Sequence, residues 1–409
     1  MKKLSLTIVL CLTIALSFGQ KKAVSDANRE IGKMNPNFEN ARNLIKGALV
    51  DPETKDNAET WFTAGKVEGK QFDYEKTIKP LQNQTQDTAV MYGALKNVKS
   101  FFVVSDSLEM LPDEKTKKVK LKFRKDMKVI MLANRLSYLE GGGFFFNNRD
   151  YENAFDMFQQ FFDIPKMNMF EGENIAAKDT AFAQYRYYAG IALSQFGDTA
   201  KIISFFEGLR NNNGYKEEDV YKYLSSLYKQ TGDAVNLIRI LREGSEKFSN
   251  EPYFLFNLVD LYISSNQGDV AIAMVTKAIE TMPDRADLYN ALGIVYENSK
   301  QDPEKAKTLY EKALSIDPDY VEAIGNLGRI YFNRAIEAQV AANDIKDNQQ
   351  YEIAKAKAMD IFKEALPFFE KAHQMNPEER DYMTALSRIY YALNMSDKFD
   401  EMEKKLGNQ

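Results

Sequence analysis

Between Ala286 and Tyr320 the apolar positions fall at helical spacing and then repeat that spacing after a short polar break. Tyr289, Leu292 and Tyr296 sit three and four residues apart, which places them on one face of a helix. A turn at Gln301-Asp302-Pro303 follows, and Ala306, Tyr310 and Ala313 then define the inner face of a second helix. Gly293 and Ala306 are small enough for the two helices to approach closely, whereas Tyr296 and Tyr310 fill the space between turns. Pro318 ends the second helix because it cannot donate the backbone bond that would continue it.

The same arrangement recurs on both sides. Upstream, Leu255, Leu258, Tyr262, Ala271, Ala278 and Pro283 repeat it, 34 residues ahead of the next unit's start. Downstream, Ile324, Leu327-Gly328 and Tyr331 restart it, and Phe369, Ala372 and Pro377 complete it. Fainter copies contain Tyr221, Leu224, Tyr228 and Leu241; Gly190, Phe206 and Leu209; and Tyr138, Gly142, Phe145, Ala154, Phe158 and Phe161. Leu386 and Tyr390 open a last unit. A fixed period of this length marks a stack of helix pairs, each burying its apolar face against the next.

The sequence aromatic-x2-Leu-Gly-x2-Tyr, then Ala-x3-aromatic-x2-Ala, then Pro resembles the tetratricopeptide repeat. The resemblance implies an all-α fold, a right-handed superhelical solenoid of antiparallel helix pairs. It covers roughly residues 120–405 well and roughly 38–105 loosely. In the looser part Ala41, Ile45 and Ala48 precede Pro52, Trp61-x2-Ala64-Gly65 resembles the opening of a unit, and Tyr92 to Phe102 reads as an apolar-faced helix. The expected organisation is a signal segment at 1–19, divergent helical repeats at 20–114 and the regular solenoid at 115–409, with a soft, turn-rich stretch from Leu111 to Lys118. Trp61, the lone tryptophan, falls on the large-aromatic position and is expected in the core.

One unit is interrupted. Between Tyr331 and Ala365 the pattern calls for about nine residues and finds 33. The extra sequence, 333–362, is rich in Ala, Glu, Lys and Gln, with a polar break from Asn343 to Asn348. Helix formers on either side of a break predict a long inserted helical hairpin. Such a hairpin reads equally as a tolerated insertion or as a docking prong.

The N-terminus differs from everything after it. Met1-Lys2-Lys3 is followed by an uncharged apolar run from Leu4 to Phe18, and Ser17-Phe18-Gly19 puts small residues before a cut ahead of Gln20. This is the layout of a cleaved secretory signal peptide. Cys11 lies inside the apolar run after Leu10, which is the wrong place for lipid attachment. The address expected is therefore export, with the periplasm foremost and an extracellular or outer-membrane-associated position beside it. Richness in Tyr, Phe, Lys and Asn resembles exported bacterial repeat proteins of the Bacteroidetes group.

Composition narrows the chemistry. The 54 Lys and Arg against 59 Asp and Glu leave a net charge of −5, which points to neither nucleic acid nor an anionic membrane surface. Cys11, the single cysteine, lies in the signal segment, so no thiolate nucleophile is expected after cleavage; His373, the single histidine, has no second histidine to share a metal and reads as a surface or half-buried helix residue. Gly141-Gly142-Gly143 lacks the Lys-Ser/Thr of a phosphate loop and falls where the repeat puts small contact residues; three glycines in a row also predict local bending. Glu217-Glu218 and Glu378-Glu379 read as helix-start carboxylates. No catalytic residue, metal site or cofactor is expected.

In tetratricopeptide proteins the first helices of successive repeats line a groove that receives a peptide or a partner helix. Carried onto this sequence, that implies Tyr253, Phe256, Asp260 and Ile263, then Asn290, Ile294 and Glu297, then Arg329 and Phe332, then Arg388 and Tyr391. A subgroup of the family grips chaperone carboxylate ends with a Lys/Asn/Arg cluster. The equivalent positions here hold Lys222, Asn290, Asn326 and Arg329 without the paired Lys and Asn of that cluster, so tail capture is not expected. The function implied is a non-catalytic scaffold or adaptor in the cell envelope that binds a protein or peptide partner, with no membrane span after signal cleavage. A receptor for peptide or glycan ligands is the alternative.

Overall fold

A computed structural model describes residues 19–113, 116–212 and 214–407. The signal segment at 1–18 lies outside the described residues. Among the described residues there is no strand, and no helix is long and apolar enough to cross a membrane. Chain contacts divide the protein into two compact units, one ending at Leu227 and one beginning at Tyr228.

The first unit contains α1 (19–30), α2 (Phe38–Ala48), α3 (Ala58–Asp73), α4 (Thr88–Glu109), α5 (Arg124–Ala133), α6 (Arg135–Asn147), α7 (Tyr151–Asp163), α8 (Ala183–Leu193), α9 (Thr199–Glu207) and the start of α10 (Glu217–Thr231). Helices α3 and α4 form a long antiparallel pair. Ser105 near the end of α4 donates to the carbonyl of Ala58 at the start of α3, and the Asp87 amide before α4 donates to Glu75 just beyond α3. The soft stretch after α4 is tied down at its far end by Glu109, which accepts the amides of Phe123 and Arg124, and by the Arg124–Asp106 pair. Phe72, Phe102, Tyr138, Phe158 and Phe161 form the dry centre of this unit.

Trp61 departs from expectation. Phe62, one residue on, enters the core at 7% exposure and stacks on Phe102 and Phe123. Trp61 is only half-buried; its indole N–H donates to the Lys55 carbonyl at 2.6 Å and its ring tilts against Phe101. An indole keeps its donor where a carbonyl is available, and the edge of the core supplies one.

The second unit continues with α11 (Ala234–Lys247), α12 (Pro252–Ser264), α13 (Gly268–Thr281), α14 (Ala286–Lys300), α15 (Pro303–Ile316), α16 (Val321–Asn343), α17 (Asn348–Met375), α18 (Arg380–Ala392) and α19 (Ser396–Gly407). The inserted hairpin is present. Helices α16 and α17 run 23 and 28 residues and are joined across residues 344–347. Their neighbours span 12–15 residues, so each arm gains about three turns, or ~15 Å. Buried Ala335, Ala342 and Ala358 allow the arms to touch, and Phe332 packs edge-on to Phe362 below them.

One contact recurs in both units: a glycine on one helix meets an aromatic ring on the next. A Cβ added to Gly293 would lie 2.5 Å from Tyr310, and one on Gly328 3.2 Å from Phe369. In the first unit Gly142 meets Phe158 at 2.4 Å, Gly190 meets Phe206 at 3.0 Å and Gly65 meets Phe102 at 2.4 Å. The ring occupies the volume a side chain would need, which is why glycine stands there. Of the glycine triplet, Gly141 and Gly142 serve packing, Gly143 faces open space, and α6 runs through all three. Helix starts are equally regular: Asp150, Asp198, Asp233, Asp302 and Asp347 each cap the second helix of a pair by accepting the amide three residues on.

Candidate functional site

Within the second unit the first helices of three successive pairs, α14, α16 and α18, line one cavity of about 510 Å³, with Phe369 of α17 at its back. On α16 the lining residues are Glu322, Gly325, Asn326, Arg329, Phe332 and Asn333, spaced at three and four residues along one helical face. From α18 come Asp381, Tyr382, Thr384, Ala385 and Arg388, together with Glu379 just before it. From α14 come Asn290 and Ile294.

Local sequence explains how these groups meet. Gly325 lets the Tyr382 ring rest on the α16 backbone; an added Cβ would stand 2.6 Å from the ring and 2.8 Å from its hydroxyl. Burial pushes the Tyr382 hydroxyl pKa up, Glu322 and Glu379 push it further, and Arg329 opposes them. Asn290 is 5% exposed and accepts the Asn326 side-chain amide at 2.8 Å. The two asparagines thus link the first helices of successive pairs through their amides, the type of group that pairs with an extended backbone.

A second network fixes the arginine. Arg329 lies on Glu297 with Nε 3.1 Å and Nη2 2.9 Å from its oxygens. The Tyr310 hydroxyl donates to the same carboxylate at 2.7 Å. Tyr310 is fully buried, and burial together with Glu297 raises its pKa far above the ordinary tyrosine range. Glu297 is therefore a holder of Arg329, one step behind the cavity wall.

Of the residues expected from sequence, Asn290, Ile294, Arg329, Phe332 and Arg388 come together on the cavity, and Glu297 supports them. The remaining five lie elsewhere. Tyr253, Phe256, Asp260 and Ile263 are on α12, none lines the cavity, and Tyr253 packs against Phe254 at 5.3 Å. Tyr391 is 72% exposed and tilts against Phe399. Tyr382, Thr384, Ala385, Asp381 and Glu322 were not anticipated. The signal is in the spacing: Ala385, Thr384 and Asp381 stand three, four and seven residues from Arg388, Glu322 stands seven from Arg329, and Tyr382 stands three from Ala385.

The first unit holds a larger cleft of about 920 Å³, floored by Phe155, Phe162, Leu193, Phe196 and Phe205, with Arg186 lying over Phe162 at 5.0 Å. It lacks the amide pair, and its Lys166 and Lys201 pair with Asp163 and Asp198 at the surface.

Residues 286–320, which span α14 and α15 with the Gly293–Tyr310 contact, match the tetratricopeptide repeat family. The chain carries a tetratricopeptide repeat. A stretch of 46 residues is 50% identical to the uncharacterized protein ycf37 of Pyropia yezoensis and 44% identical to that of Porphyra purpurea. The chain spans about a quarter of the length of these curated relatives. Among solved structures, the C-terminal part of a TPR repeat-containing protein from Cytophaga hutchinsonii is 15% identical with a TM-score of 0.39, over 66% of this chain and 93% of that one. YrrB, described as a TPR protein with an unusual peptide-binding site, is 18% identical with a TM-score of 0.31, over 49% of this chain and 95% of that one. MamA from Desulfovibrio magneticus RS-1 is 14% identical with a TM-score of 0.29, over 44% and 96%.

Proposed function

We propose that this tetratricopeptide repeat protein is a non-catalytic adaptor of the cell envelope that holds an extended segment of a partner protein in the cavity between α14, α16 and α18. The observation that carries the reading is the convergence of the Asn290–Asn326 amide pair with Ile294, Phe332 and Tyr382 in one open cavity. Amides satisfy a peptide backbone while apolar walls take its side chains, which is how affinity and register are divided in extended-peptide recognition. The envelope address rests on the basic start and apolar run of residues 1–18.

The test is affinity purification from envelope and cytosolic fractions of source cells, comparing the wild-type chain with an Asn326→Arg/Thr384→Arg variant that fills the cavity. The reading expects a discrete partner in the envelope fraction that the variant loses while keeping its helical circular dichroism. Equal recovery by both proteins would remove the cavity from the account. Recovery from cytosol alone would remove the address.

A further inference from the structure

We propose that the cavity selects a segment bearing a lysine or arginine beside an apolar residue, and disfavours a carboxylate end. This rests on the peptide-binding reading above and deepens it.

The charges on the wall decide the sign. Arg329, the cation best placed to receive a carboxylate, is already bidentate on Glu297. Glu322, Glu379 and Asp381 line the cavity and make no ion pair among the described residues. Among the described residues Arg388 is the single lining cation without a carboxylate partner, and Arg380, which lies between two of the acids in sequence, is not on the wall. Three carboxylates thus face one free guanidinium. Their positions at the starts of α16 and α18 complement the helix dipoles, which accounts for acids there without supplying a counter-ion. The upward push of Glu322 and Glu379 on the Tyr382 hydroxyl reports the same negative field inside the cavity. Ile294, Phe332 and Tyr382 provide the apolar contact next to it.

A ligand ammonium or guanidinium would meet these carboxylates at a partly exposed rim, where each pair adds little; two or three together give a preference of about tenfold that salt weakens. The direction is opposite to capture of a C-terminal carboxylate, which would require Arg329 to leave Glu297 and deprive that carboxylate of its cation.

The experiment uses fluorescence polarisation with the full chain and three labelled peptides of about twelve residues sharing one Ala/Leu/Phe/Asn frame, carrying three Lys, three Gln or three Glu. At about 50 mM NaCl the Lys peptide is expected to bind about tenfold tighter than the Glu peptide, with the ratio shrinking at about 500 mM. In Glu379→Gln/Asp381→Asn the ratio should fall toward one, and in Arg388→Ala it should rise; circular dichroism checks both folds, and the second variant decides if the first is unfolded. Equal binding of the three peptides, or tighter binding of the Glu peptide, overturns the charge selection and leaves the peptide groove standing. Binding of none of them overturns both. A Lys preference that survives both variants unchanged overturns the assignment to these carboxylates.

Discussion

Glu297 of α14 accepts Arg329 from the next repeat and Tyr310 from its own, so one carboxylate joins the cavity wall to the repeat core. Glu297→Ala removes the acceptor of a fully buried hydroxyl and of a guanidinium together. The expected cost is about 1–3 kcal/mol, since a buried donor left without a partner keeps its full desolvation penalty. Urea unfolding checks it, and Glu297→Gln, which retains one acceptor oxygen, should lose less.

The glycine–ring contacts predict opposite outcomes for neighbouring residues. Gly142→Ala would drive a methyl group into the Phe158 ring and is expected to destabilise by about 1–3 kcal/mol. Gly143→Ala meets nothing within 4 Å on the same helix and should stabilise by about 0.5–1 kcal/mol. Denaturation midpoints of the two single variants separate the cases. Gly293→Ala, against Tyr310, should follow Gly142→Ala.

His373 gives a pH signature. Its Nδ1 is buried with no hydrogen-bond partner among the described residues. Burial lowers its pKa and Lys405 adds to this, against Glu401 and Glu378. A histidine depressed in the folded state binds a proton more readily when unfolded. Its contribution to stability is therefore complete above the unfolded value of about 6.5 and is lost as pH falls below it. As the chain has one histidine, its single imidazole resonance can be titrated directly; the midpoint should lie below 6.5, and a midpoint at or above it would contradict the buried placement.

The hairpin should be separable from the repeat it interrupts. The Phe332, Phe362 and Phe369 contacts lie at its base, while Val340 and Ile353 near the tip are exposed. Replacing residues 338–355 with a short turn is expected to leave the second unit helical and cooperatively folded. Loss of cooperative unfolding in that deletion would show that the arms hold the unit together.

Much of this fold was readable in the chain. Gly293 with Tyr310 and Gly328 with Phe369 announced the helix pairs because small-against-large packing leaves a fixed residue type at a fixed place. The break at 343–348 showed where the hairpin turns, since polar residues interrupt a run of helix formers. The cavity was legible only in part. Spacing within a helix shows which residues share a face, but which faces close on one volume depends on how neighbouring helices pack. Tyr253, Phe256, Asp260 and Ile263 share that spacing on α12 and do not line this cavity. Trp61 was misplaced for a related reason: Phe62 competes for the same core position, and the indole donor favours the edge.

A partner held between α14, α16 and α18 would lie within reach of side chains on that wall. Photo-crosslinking in source cells detects it, with a benzophenone amino acid placed in turn at Thr384 and Arg388 on the cavity wall, and at Asp260 and Tyr391 outside it. The two wall positions are expected to attach to the same short segment of one protein, and the two outer positions are not. Capture of that protein from Asp260 and Tyr391, with nothing specific at Thr384 and Arg388, would contradict it.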